Sequence, residues 1–139
     1  MYGCLMKLLR LVLLFVLCGC TALKSYQIEG EKGDSHLISG VPIVKQKGSW
    51  CGPAALAMVM QYYGKEITQE EIAKEVFLTK RKLTLNIDME RYAGDLGFWT
   101  ETDIKDLSGL KEKIRNDIPV IVLVKIYPLL NRFHYLVLT

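Results

Sequence analysis

The sequence predicts an α+β fold, on three observations. Helical periodicity and capping signals are confined to the middle of the chain, up to about residue 118. Two runs rich in apolar and β-branched residues, VIVLVKI (120–126) and FHYLVLT (133–139), come late and have no helix after them. With 139 residues, half of them hydrophobic and 24% charged, the chain suits one small globular domain. Helices first and strands last give segregated rather than alternating layers.

The first residues stand apart from that domain. Residues 1–19 carry Lys7 and Arg10 ahead of the apolar run LVLLFVL and then small residues, the layout of a secretory signal too short to span a bilayer. The run ends Leu17-Cys18-Gly19-Cys20, which resembles the lipobox of bacterial lipoproteins. That resemblance implies cleavage before Cys20 and a lipid on its sulfur, hence a bacterial envelope protein, lipid-anchored and extracytoplasmic, with the membrane as a partner. The plainer alternative is an ordinary cleaved signal with a chance cysteine, and Cys18 sits where a small Ala, Ser or Thr is more usual. Cleavage removes Lys7 and Arg10 and no acid, so the formal charge falls from +3 to +1. A nearly neutral domain without a basic block argues against a nucleic-acid partner. Residues 20–40 are polar and glycine-punctuated, and are expected to be a tether to a domain over residues 41–139.

Each element then has its signal. Residues 41–44, VPIV, suit an extended segment, with Pro42 fitting an edge. Gly52 and Pro53 open a helix through residues 54–63, apolar nearly all round and therefore buried, which Gly64 stops. Thr68-Gln69-Glu70-Glu71 is a capping box flanked by Ile67 and Ile72 at the staple positions, opening a short helix to about Val76. Lys80, Arg81 and Lys82 form a basic loop, which reads as solvated or as a contact for an acidic peptide. Met89, Tyr92, Ala93 and Leu96 follow at i, i+3, i+4 and i+7 before Gly97, predicting a third helix. A short strand is expected over residues 98–101, and Leu107, Leu110 and Ile114 mark a fourth helix ending before Pro119. Residues 120–126 then read as a buried strand, and 133–139 as a second one in which His134, Leu136 and Leu138 share a face.

Four cysteines are present, but Cys4 and Cys18 leave with the signal and Cys20 is blocked if lipidated, so Cys51 is left as the one free thiol. A thiol at a helix start lies near unpaired N–H groups and the positive end of the helix dipole, which favour thiolate. It could equally be a small hydrophobe packed at the helix start. A cysteine peptidase also needs a base and an oxyanion donor, for which His134 and Gln46 are the candidates. His36, in the tether, ranks below His134. Two histidines and one thiol far apart show no ligand spacing, so neither metal nor cofactor is implied.

The whole motif sharpens this. Val41-Pro42-Ile43-Val44-Lys45-Gln46 followed by Trp50-Cys51-Gly52-Pro53-Ala54-Ala55-Leu56-Ala57-Met58 closely resembles the start of the bacteriocin-processing, double-glycine leader peptidase family of papain-like cysteine peptidases. The likeness continues through Tyr62-Tyr63-Gly64, Met89-Glu90-Arg91-Tyr92-Ala93, Ile118-Pro119-Val120-Ile121-Val122 and His134-Tyr135-Leu136-Val137-Leu138. It implies a papain-like fold with the cysteine at the start of the central helix and the histidine on a C-terminal antiparallel sheet. It further implies that Cys51 attacks a peptide carbonyl, that His134 exchanges the proton, and that Gln46 and the Cys51 N–H hold the oxyanion, with Gly52 giving the substrate backbone room. The Cys51 sulfur and a His134 ring nitrogen are then expected within roughly 4 Å.

One departure stands out. The family places an orienting Asp or Asn on a strand after the histidine, and no residue here matches it; Asp88, Asp103, Asp106 and Asn131 have no assigned part. The expectation is therefore a chain truncated at its C-terminus. Two rivals to the peptidase remain: a catalytically weak or inactive peptidase-derived module that binds peptides, and a structural lipoprotein with a packed Cys51.

Overall fold

The computed structural model describes residues 35–103, 106–127 and 132–139. The lipidation site expected at Cys20, and the signal around it, lie outside the described residues, as do most of the tether and Asn131. Residues 35–139 form one compact unit. It is α+β, as the sequence predicts, with the long antiparallel strand pair last and a short hairpin among the helices.

The first helix, α1 (Cys51–Tyr62), buries Gly52, Pro53, Ala54, Ala55, Leu56, Ala57 and Met60. Its alanines let neighbouring backbone approach on several sides, which suits a central helix. Gly64 ends it in the left-handed region at φ +79°, and the Gln61 side-chain amide donates to the Ile67 carbonyl at 2.7 Å across the turn. Helix α2 (Gln69–Val76) begins with the predicted capping box. The Glu71 N–H donates to Thr68 Oγ1 at 3.3 Å, and the Thr68 N–H donates to the Glu71 carboxylate at 2.8 Å. Ile67 and Ile72 beside it are both buried.

A hairpin of β1 (Phe77–Leu78) and β2 (Leu83–Thr84) follows, where the sequence suggested only a basic loop. Lys82 at φ +53° closes its turn, a conformation without a glycine to announce it. Helix α3 (Asn86–Asp95) buries Met89 and Ala93. After it Gly97, at φ +89°, allows the Phe98 N–H to reach the Ala93 carbonyl at 3.0 Å. The strand expected over residues 98–101 is not formed. That segment is held instead by side chains of α4 (Leu107–Arg115), with the Lys113 ammonium 3.2 Å from Glu101 and 6.0 Å from the centre of the Trp99 ring. Asp106 caps α4, accepting from the Gly109 N–H at 2.9 Å. Residues 41–44 form neither helix nor strand.

The second sheet pairs β3 (Val120–Tyr127) with β4 (Arg132–Leu138) in antiparallel register, Val120 opposite Leu138 through Val124 opposite His134, with an irregularity between Lys125 and Tyr127. One face packs on the helices: Tyr135 is in the core, and Ile121 and Val137 lie against it. Full burial of residues 120–126 does not occur, since Leu123 and Ile126 are exposed. With two strands, only part of one face meets a helix. The core centres on Met60, Ile72 and Val76, each contributing about 1.5–3 kcal/mol by burial.

Candidate active site

Cys51 is the first residue of α1, a free thiol, half-buried. Trp50 before it makes no side-chain cap bond. At a helix start the N–H groups of Cys51 and Gly52 have no intrahelical acceptor. Trp50 stacks edge-on against Phe77 at 6.1 Å between centroids, so the β1–β2 hairpin walls this end of the helix. Across Gly52 the hairpin comes closer still. A Cβ on Gly52 would stand 2.8 Å from Thr84 Cβ, so the missing side chain makes room for Thr84 and not for open space.

Thr84 belongs to a polar group that sequence reasoning missed. The Tyr135 hydroxyl contacts the Thr84 carbonyl at 3.1 Å and the Asn86 side chain at 2.5 Å. One hydroxyl carries one proton, so the Thr84 carbonyl and Asn86 Oδ1, both acceptors, compete for it, and the shorter contact is the one to Asn86 Oδ1. Thr84 Oγ1 itself is buried without a partner among the described residues. Burial, and then the charge of Cys51, push the Tyr135 phenol up to about 12. Cys51 and Tyr135 are thus electrostatic neighbours. The available signal was alternation: a large aromatic between His134 and Leu136 takes the opposite, helix-facing side.

That same alternation fixes His134. It pairs across the ladder with Val124, half-buried, on the face opposite Tyr135. No hydrogen bond joins it to the Cys51 thiol among the described residues. The structure therefore brings β4 onto α1 with Tyr135 foremost, and leaves the imidazole on the far side of the ribbon.

Gln46 is exposed, and its amide donates to the Gly48 carbonyl at 2.7 Å, over a turn in which Gly48 has φ +53°. One of its two N–H donors is thereby engaged. The backbone around it is held by Gln69, which accepts from the Lys47 N–H at 3.0 Å and donates to the Lys45 carbonyl at 2.9 Å. His36 pairs with Asp117 at 2.8 Å. Asp88 lies 3.7 Å from Arg91 along α3, and Asp106 is spent on its cap. An open cleft lined by Gly40, Pro42, Gln61 and Thr68 lies elsewhere and includes none of the three candidate residues.

Comparison with known proteins agrees with this architecture. Residues 38–139 match the profile of the Peptidase_C39 like family, and the chain belongs to that family. The fold is accordingly the papain-like one, and the function is related to that of cysteine peptidases. No curated protein and no solved structure matches significantly.

Proposed function

We propose that this member of the Peptidase_C39 like family is a lipid-anchored, extracytoplasmic cysteine peptidase that hydrolyses peptide bonds with Cys51 as nucleophile, His134 as base and Gln46 as oxyanion donor. The observation that supports it most is a free, half-buried thiol on the first residue of a buried helix, where the first backbone N–H groups have no intrahelical acceptor. In the first step the sulfur attacks the substrate carbonyl while an imidazole nitrogen of His134 takes the thiol proton. The oxyanion is met by the Cys51 N–H and by the Gln46 amide N–H that Gly48 does not use. Collapse returns the proton to the leaving amine, and water then hydrolyses the thioester by the same route in reverse order.

This sequence of steps requires the imidazole to come round to the thiol. His134 lies near the start of β4, one pair inside the ladder irregularity between Lys125 and Tyr127. Such irregularities re-aim side chains, and catalytic hydrogen bonds tighten when substrate is bound. Substrate binding is the event we assign to that movement.

The test is hydrolysis of a small activated ester, carbobenzoxyglycine p-nitrophenyl ester, by the full chain in detergent. Turnover should vanish in Cys51→Ala and fall steeply in His134→Ala. Turnover that survives Cys51→Ala would overturn the assignment. For the anchor, Cys20→Ala should move the protein from the membrane to the soluble fraction, and continued membrane retention would rule out a lipid at Cys20.

A further inference from the structure

Gln69 is the first residue of α2, yet its side chain is 6% exposed. A buried primary amide is costly unless its groups are bonded. Both of its bonds go to one stretch of backbone: it donates to the Lys45 carbonyl and accepts from the Lys47 N–H. These two groups flank Gln46 on either side. A side-chain amide bonded in this way copies the pair of bonds that a neighbouring strand would make, and so holds the Gln46 backbone in one conformation. Glu70, the next residue of α2, pairs with the Lys47 ammonium and adds a second tie between the same segments. The Gln46 side chain then folds onto the Gly48 carbonyl, which sets the plane of its amide.

We infer that Gln69 is a positioning residue for Gln46: it fixes the backbone from which the oxyanion donor projects. This rests on the peptidase function proposed above. Removing the clamp leaves Gln46 present but free to rotate, so transition-state stabilisation falls while ground-state binding of a small substrate does not.

The experiment is a double-mutant cycle on kcat and KM with the same activated ester and the full chain. Gln46→Ala should lower kcat by about 100-fold, the usual effect of losing one oxyanion donor. Gln69→Leu should lower kcat by at least about tenfold with KM changed by less than about twofold, and in the Gln46→Ala background it should change kcat by less than about twofold. A residue needed only for general packing would lower kcat equally in both backgrounds, and that result would overturn the inference. So would wild-type kcat in Gln69→Leu alongside a loss in Gln46→Ala. If Gln69→Leu does not fold, Gln69→Glu replaces it in the cycle, because it keeps the acceptor for Lys47 and loses the donor for Lys45. Absence of turnover in the wild type, or turnover untouched by Cys51→Ala, overturns the peptidase function and this inference with it.

Discussion

Replacing Tyr135 with phenylalanine removes one hydroxyl from the junction of β4, the β1–β2 hairpin and α3. At about pH 8 the variant should lose roughly 1–2 kcal/mol, because the Thr84 carbonyl and Asn86 side chain lose a buried partner. The pH dependence is more specific. Burial raises the Tyr135 phenol from 10.0 to about 12 in the folded chain, with the Cys51 charge adding to the effect. Below the unfolded value both states hold the proton and the native contacts count in full. Between the two values the unfolded chain ionises while the folded one cannot, so stability falls as pH rises through this window. Two units correspond to about 2.7 kcal/mol in all, of which about 1.4 kcal/mol is lost by pH ~11. Tyr135→Phe has no such proton. Urea unfolding should therefore show the wild-type advantage shrinking by about 1.4 kcal/mol between pH ~8 and pH ~11. An advantage that stays constant would refute the burial of this phenol and the packing of β4 drawn from it.

Two further outcomes follow from the geometry near the helix starts. Gly52→Ala should cost about 1–3 kcal/mol in urea unfolding, since the new methyl meets Thr84 Cβ; Thr84→Ala should not relieve it, because the closest atom remains, whereas Thr84→Gly should in part. Thr68→Ala should cost about 1 kcal/mol by removing the side chain that accepts from Glu71 N–H, and Thr68→Ser should restore most of it.

Local signals were legible in the sequence where one short segment decides the outcome. Thr68 and Glu71 specify the start of α2 by themselves, Gly64 and Gly97 end α1 and α3 at positive φ, and the period of Met89, Tyr92, Ala93 and Leu96 gives α3 its buried stripe. What was illegible depends on long-range pairing. The two-residue strands β1 and β2 have no pattern of their own and exist because Thr84 packs on Gly52 and Phe77 on Trp50. The segment after Gly97 has strand-like residues but is captured by Lys113 instead of a ladder. In the site, Cys51 at the opening of α1 was readable from Gly52, Pro53 and the apolar run. Tyr135, Thr84 and Asn86 beside it were not, because their hydrogen bonds span about fifty residues of sequence. Gln69 looked like one letter of a capping box, and its link to Lys45 and Lys47 appears only when α2 meets the segment before α1.

The most direct test of the central claim, that the Cys51 thiol is a nucleophile served by His134 once substrate is bound, is its pre-steady-state acylation rate by carbobenzoxyglycine p-nitrophenyl ester as a function of pH. Wild-type protein is compared with His134→Ala and Tyr135→Phe, each checked for folding by circular dichroism. In the substrate complex a thiol served by His134 should be acylated on the acid side of the ordinary thiol range, and His134→Ala should remove that acid-side acylation while Tyr135→Phe does not. An identical profile in wild type and His134→Ala, with reactivity rising only near pH ~8.5, would contradict the claim and leave Cys51 as a packed residue at the start of α1.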